Sequence, residues 1–120
     1  MHKRIYQRMG EENKRIQTMA QRDALTNVKK YIAYLRKNRF AVQKAYVFGS
    51  YAKGNMREDS DIDLAVVLKN LQNSFTTQVQ LMKLRRDFDL RIEPHPFDET
   101  DFNSSNPFAN EILTTGIQVF

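Results

Sequence analysis

The sequence feature that most constrains the fold of this chain is a strand pattern that includes two Asp residues. In DIDLAVVL, residues 61–68, an apolar residue stands at every second position, and Asp61 and Asp63 stand between them. Successive side chains of a strand point to opposite faces, so the two Asp side chains share one face, about 7 Å apart, while the apolar set turns into a core. Asp is depleted in strands, and neighbouring carboxylates repel each other. A divalent cation would remove that cost; a solvated strand end is the alternative.

Two other segments have the composition of strands. AVQKAYVFG, residues 41–49, is rich in β-branched and aromatic residues and ends at Gly49. In LRIEPHPF, residues 90–97, Glu93 and His95 fall on the polar face of an alternating pattern. The two prolines of this segment cannot donate to a sheet ladder, so its far end must lie at an edge or leave the sheet. The pattern therefore predicts three strands. His95 either lines a pocket beside Glu93 or, as we favour, is a structural or solvated histidine.

Helical spacing marks three further segments. Residues 11–38 contain no Pro, and their apolar residues recur at steps of three and four. This stripe consists of Leu25, Val28, Ile32 and Leu35. The more sparsely apolar residues before it fit a separate helix, a frayed arm or an oligomer contact. Residues 73–88 predict a second helix with Phe75 in its apolar stripe, and Pro107 and Gly116 bound a last short helix.

Length and composition limit the class of protein. At 120 residues the chain has the size of one domain, and the absence of cysteine excludes disulfides, thiolate zinc sites and cysteine nucleophiles. No run of about 18 apolar residues is present, so we expect a soluble, cytoplasmic protein without a membrane span. Residues 1–44 carry twelve Lys/Arg against three Asp/Glu, whereas residues 45–120 carry seven against eleven. A basic flank of this kind attracts nucleotides, nucleic acids or acidic proteins, or is a solvated helix face.

The Gly-Ser pair that follows the first strand fits a phosphate contact. A Gly there lets the backbone turn sharply towards a ligand, and Ser50 offers a hydroxyl and an N–H to a phosphate oxygen. Gly49 and Gly54 have the spacing of a Walker A loop, but Asn55 and Met56 stand where Lys and Ser/Thr are required. The pattern therefore excludes a P-loop.

Three carboxylates beside a phosphate-binding turn indicate nucleotidyl transfer. Glu93 would join Asp61 and Asp63, and hard oxygen ligands suit Mg²⁺ or Mn²⁺. One ion would hold the triphosphate and the leaving pyrophosphate, and a second would lower the pKa of the acceptor hydroxyl. Glu93 would orient or deprotonate that acceptor.

The stretch GSYAKGNMREDSDIDLAVV, residues 49–67, resembles the G-S-x10-D-x-D motif of the minimal nucleotidyltransferase (MNT) domains in the DNA polymerase β superfamily. The resemblance covers residues 23–120 and implies an α+β fold of the polymerase β type, a small mixed sheet with helices packed on one side. In the family the Gly-Ser pair contacts nucleotide phosphates and the D-x-D pair binds magnesium, which assigns these roles to Gly49, Ser50, Asp61 and Asp63. The third metal-binding carboxylate comes from a later strand, which implies Glu93, with Asp89 as the alternative. Lys53 is a candidate triphosphate contact or a solvated loop lysine.

The resemblance also implies a partner. MNT antitoxins bind and adenylylate a helical HEPN-domain toxin, so we expect transfer of AMP from ATP to a hydroxyl of a separate HEPN protein. Residues 1–22 are then a basic helical extension that contacts this partner or a second copy of the chain, and residues 23–120 are the MNT domain. Direct binding of nucleic acid is not expected to be the main role.

Two other functions remain open at this point. One is a binding module that neutralises its partner by contact alone, with a vestigial site. The other is a nucleotidyltransferase for a small molecule such as an aminoglycoside, with an acceptor pocket built across a dimer. The intact motif argues against the first, and the absence of an acceptor-binding segment argues against the second.

Overall fold

The computed structural model describes the backbone of residues 2–57 and 59–120, and the side chains of residues 19–57 and 59–120. Within these residues the α-helices are His2–Lys37 (α1), Ser50–Lys53 (α2), Ser74–Leu84 (α3) and Pro107–Thr115 (α4). The strands are Val42–Phe48 (β1), Ile62–Leu68 (β2), Ile92–Asp98 (β3) and Ile117–Gln118 (β4). All three predicted strands are present, and β4 adds a short fourth strand where the sequence indicated only an apolar tail.

The strands form one mixed sheet in the order β3-β2-β1-β4. Strand β1 is antiparallel to β2 and β4, whereas β2 and β3 are parallel. Strand β3 lies at an edge, as its two prolines predict. This small mixed sheet with its helices confirms the predicted α+β class, and its order places the polar residues of β2 and β3 side by side.

Helix α1 packs its apolar stripe on one face of the sheet, which we term the α1 face. Val28, Ile32 and Leu35 are buried as predicted, but Ala24 and Tyr31 are fully buried too. The apolar residues of β2 complete this core with Leu81 of α3. The helix is continuous from residue 2 to residue 37 and so crosses the expected boundary at residues 22 and 23 without a break. No helix in the described part of the chain is long and apolar enough to cross a membrane.

Helix α4 lies on the opposite face, which we term the site face because it bears Asp63. Ala109 and Ile112 of α4 pack with Phe102 against Ala65 and Val67 of β2. These two strand residues alternate with the residues that face α1, so the middle of the sheet is buried on both faces. The helices are therefore not all on one side: α4 covers part of the face that the period-2 pattern had left to the two Asp side chains.

Helix α3 is shorter than the sequence predicts. It begins after Asn73, whose side chain accepts a hydrogen bond from the Thr76 N–H, and ends at Leu84 in a 3₁₀ turn, Arg85–Asp87. The expected apolar stripe is also wrong at its start, because Phe75 is 75% exposed. Helical spacing alone therefore did not decide which residues of α3 are buried.

Candidate functional site

Gly49 has a conformation that favours glycine and a carboxylate close to its backbone. It joins β1 to α2 with φ 69° and ψ −145°, a combination that other residues rarely adopt. A Cβ atom built on Gly49 would lie 2.5 Å from Oδ2 of Asp63, well inside van der Waals contact. Gly49 therefore lets the Asp63 carboxylate approach the backbone turn, and Ser50 begins α2 directly after it.

The pairing of β2 with β3 brings two carboxylates together. Asp63 and Glu93 are direct partners in the parallel ladder. Ligand atoms of Asp63, Glu93 and His95 lie within 4.8 Å of one another. Each of the three side chains is half-buried. Side chains that are distant in the sequence thus form one cluster, open to solvent, on the site face.

The charges in this cluster repel one another. Burial raises the pKa of Glu93, the His95 side chain lowers it, and the carboxylates of Asp63 and Asp61 raise it again, Asp61 partly through a side-chain hydrogen bond. The net direction is upwards, so the folded protein disfavours the charged form of Glu93. Asp61 precedes β2 and is exposed, yet its carboxylate is near enough to interact with Glu93. A cation bound among these groups would offset the repulsion.

His95 lies beside the two carboxylates, as the alternative that the sequence left open for it required. Its Nε2 lies 3.3 Å from Oδ1 of Asp63. Its ring packs against Phe48, with 5.2 Å between the ring centroids, and lies near Phe108 of α4. The sequence did contain the relevant pattern, since His95 follows Glu93 at a spacing of two on the same strand.

Asp89, the alternative third carboxylate, is engaged elsewhere. It forms a bidentate pair with Arg91, with a closest distance of 2.7 Å, and accepts a hydrogen bond from the Asn27 side chain of α1. These hydrogen bonds, above all those from Arg91, lower the pKa of Asp89 from 3.8 to about 2. The structure brings Glu93 to Asp63 and gives Asp89 partners on α1 and in the loop before β3.

A pocket of about 150 Å³ opens beside Gly49 and Asp63. Lys53 lines it from the end of α2, and Glu111 and Thr115 line it from α4. The Lys53 side chain is exposed at this mouth, within the reach of a ligand that contacts the Gly49 turn. Sequence reasoning did not find Glu111, because no local pattern reveals that α4 crosses this face.

Helix α2 is held in place through Tyr51. Its backbone carbonyl accepts a hydrogen bond of 2.6 Å from the Gln21 side chain of α1, and its hydroxyl accepts one of 2.9 Å from Nη1 of Arg91. The Tyr51 ring is buried in the core on the α1 face. Two hydrogen bonds from distant parts of the chain and the buried ring therefore fix the element that follows Gly49, and rigid support of this kind keeps a site in register.

The donor set of the cluster fits a divalent cation. Carboxylate oxygens from Asp63 and Glu93, with Asp61 beside them, are the hard ligands that Mg²⁺ and Mn²⁺ prefer, and Mg²⁺ is commonly bound by one or two carboxylates plus substrate phosphates. The imidazole nitrogen of His95 is a softer ligand than these oxygens and is more typical of transition-metal sites than of Mg²⁺. The cluster is open on one side, which leaves room for a phosphate ligand.

A family profile decides which proteins this chain is related to. The profile described as polymerase beta, nucleotidyltransferase, matches residues 29–120. The chain belongs to this family. The match includes all four strands, the Gly49 turn and the carboxylate cluster, and it confirms the family that the motif resembled. As a member, the chain is a nucleotidyltransferase. Members of this family generally use divalent metals.

The curated relative and the solved structures agree with this membership. The protein adenylyltransferase MntA of Shewanella oneidensis is 30% identical over 95 residues, which are 78% of this chain and 65% of that protein. This chain therefore spans just under two thirds of that relative's length. A solved structure from Sulfolobus solfataricus shares the fold, with a TM-score of 0.63 at 19% identity over 85% of this chain and 84% of the other.

Two further solved structures are toxin–antitoxin complexes. One contains AMP-PNP, and its matched chain has a TM-score of 0.56 and 26% identity, covering 77% of this chain and 72% of the other. The second is a tri-AMPylated HEPN toxin of Shewanella oneidensis in complex with an MNT antitoxin, with a TM-score of 0.53 and 26% identity over 81% of this chain and 71% of the other. The similarity extends to proteins that assemble with a HEPN toxin.

Proposed function

We propose that this chain is a protein adenylyltransferase that moves AMP from ATP to a hydroxyl group of a separate HEPN-type toxin, and thereby acts as its antitoxin. The observation that carries the proposal is the convergence of Asp63, Glu93 and the Gly49 turn at one place on the site face. Carboxylates that hold divalent ions, next to a turn that admits phosphates, are the groups that nucleotidyl transfer needs.

The proposed cofactor is Mg²⁺, with two ions expected and Mn²⁺ as a substitute. Asp61, Asp63 and Glu93 would hold the ions. When bound, they would neutralise the charge of the phosphates and lower the pKa of the acceptor hydroxyl. The proposal assigns Gly49, Ser50 and Lys53 to the triphosphate: the turn admits a phosphate to the backbone, and Lys53 supplies a positive charge at the mouth of the pocket.

The reaction exchanges one bond to phosphorus for another. The acceptor oxygen forms a bond to the α-phosphorus while the bond from that atom to the bridging oxygen breaks, and pyrophosphate leaves on the side of Gly49. Glu93 orients the acceptor and takes its proton.

The choice of nucleotide donor and acceptor rests on the similarity to the solved complexes. The related complex with AMP-PNP supports ATP as the donor, and the related AMPylated HEPN toxin supports a protein hydroxyl as the acceptor. The reaction would take place in the cytoplasm, where ATP is available. It stays a prediction that residues 1–22 contact the HEPN partner or a second copy of this chain.

The test is transfer of label from α-labelled ATP in lysate of the source organism, resolved by size into protein, RNA and small molecules. Wild type and Asp63→Asn are compared with Mg²⁺ and with a chelator. Asp101→Asn is the matched control, because Asp101 is an exposed loop carboxylate that takes no part in the cluster. We expect a labelled protein of HEPN mass with wild type and Asp101→Asn, and none with Asp63→Asn or the chelator.

Other outcomes count against the proposal in different ways. Label in RNA or in a small molecule would show that the acceptor is not a protein. The absence of wild-type-specific label, together with retained binding of the HEPN protein by Asp63→Asn, would favour neutralisation by contact alone.

A further inference from the structure

A second pocket, of about 370 Å³, lies at the β3 edge of the sheet. It is lined by Ser74, Phe75 and Gln78 of α3, by residues 95–97 of β3 and by Phe108 of α4. His95 belongs both to this pocket and to the carboxylate cluster. The volume falls within the range of about 300–1,000 Å³ that is typical of ligand sites. The pocket therefore adjoins the reaction centre through His95 and is large enough for a side chain of another molecule.

The position of this pocket matches the side from which an acceptor must approach. In-line displacement at phosphorus places the incoming and leaving oxygens on opposite sides of the reacting atom. The Gly49 turn follows β1, Asp63 lies on β2, and Glu93 and His95 lie on β3, in the spatial order of the strands. If pyrophosphate leaves towards β1, the acceptor enters over β3, which is where the second pocket opens.

The lining of the pocket indicates the chemistry of its occupant. Its described lining residues include no Lys, Arg, Asp or Glu, and three of them are phenylalanines. A nucleic acid would require basic side chains for its phosphates. A polycationic antibiotic would require carboxylates for its ammonium groups. Aromatic residues with few charges are typical of the centre of a protein–protein interface.

We infer that this pocket binds an apolar segment of the acceptor protein, beside the hydroxyl that receives AMP. The inference rests on the proposed function and adds to it the surface that selects the acceptor. Phe75 lines the pocket and is 75% exposed, although it is a large apolar side chain. Burying it under a partner would remove that apolar surface from water.

Phe75 permits a clean test. Phe108 lines both this pocket and the one beside Gly49, whereas Phe75 lines only the second pocket. Leu90 is the matched control, since it is 66% exposed and lines neither of these pockets. Both side chains are mostly in water, so neither Phe75→Ala nor Leu90→Ala should impair folding.

The experiment compares wild type, Phe75→Ala and Leu90→Ala with the purified HEPN-domain protein of the same genome as acceptor. It measures kcat/KM for the acceptor with α-labelled ATP, the affinity for that protein and the affinity for AMP-PNP. We expect Phe75→Ala to lower kcat/KM and acceptor affinity about tenfold, as loss of an aromatic interface anchor does. Leu90→Ala should stay within about twofold of wild type, and AMP-PNP affinity should not change in either variant.

Three results would overturn the inference. The first is equal behaviour of Phe75→Ala and Leu90→Ala, and the second is no binding of the HEPN protein by wild type. The third is a loss of AMP-PNP affinity in Phe75→Ala, which would mean that the pocket binds the nucleotide base. Failure of the proposed function gives a different result. If wild type transfers no label but Phe75→Ala still weakens binding of the HEPN protein tenfold, the docking surface stands and catalysis does not.

Discussion

Replacing Gly49 by alanine should damage the reaction far more than it damages the fold. The backbone conformation at Gly49, φ 69° and ψ −145°, costs a residue with a side chain about 1–3 kcal/mol. The added Cβ would also lie 2.5 Å from Oδ2 of Asp63, whereas ordinary contacts are 3.4–4 Å. The carboxylate must therefore move by about 1 Å, a displacement that can lower a rate about 100-fold when it misplaces a reacting group.

Gly54 provides the matched control for this prediction. It also has a positive φ, 76° with ψ 15°, but a Cβ atom there would meet nothing within 4 Å. Gly54→Ala should cost about 1–2 kcal/mol for the left-handed conformation and leave Asp63 undisturbed. The two variants thus share a backbone cost and differ in the contact with the carboxylate.

Urea denaturation followed by circular dichroism measures the free energy of unfolding, and label transfer at a temperature where both variants are folded measures the rate. We expect Gly49→Ala to lose about 100-fold in rate, and Gly54→Ala to stay within about threefold of wild type. Equal rates for the two folded variants would show that the approach of Asp63 to Gly49 does not govern the reaction.

Two more predictions concern the carboxylates of β3 and the loop before it. Asp89 has a pKa of about 2 in the folded protein against 3.8 normally, so its pair with Arg91 stabilises the fold above pH 4, and this contribution disappears as the pH falls towards 2. Asp89→Asn should therefore lower the free energy of unfolding at pH 7 by about 1–2 kcal/mol and flatten its dependence on pH between 4 and 2. Unfolding measured across that pH range checks this. The same pH dependence in wild type and variant would contradict the ion pair. Glu93→Gln should lower the rate of AMP transfer about 100-fold or more while AMP-PNP still binds, and a rate near that of wild type would exclude Glu93 as the base.

Local periodicity was enough to predict several elements of this fold. The alternation in β2 set Asp63 on the face opposite the α1 core, the prolines of β3 confined that strand to an edge, and Pro107 and Gly116 bounded α4 correctly. These features depend on φ, on hydrogen-bond donors and on side-chain direction, all of which are properties of a residue and its near neighbours. Such features are therefore the same whatever part of the protein the segment packs against.

The same reasoning failed where burial depended on a distant part of the chain. Phe75 fits the apolar stripe of its helix, yet its side chain is mostly exposed to solvent. His95 reads as an ordinary strand histidine, yet it faces Asp63. The position of α4 on the site face was not predicted, because an amphipathic helix pattern identifies a buried side without identifying the partner that covers it.

The sequence by itself determined the chemistry available to this protein: a Gly-Ser turn, a pair of carboxylates on one strand face and a third acidic residue on another strand. Only the tertiary structure decided which third residue joins them. Parallel pairing of β2 with β3 sets Glu93 opposite Asp63, whereas Arg91 and Asn27 hold Asp89 in the loop before β3. Strand order and register arise from packing between segments far apart in the chain, and these fix the distances on which a reaction depends.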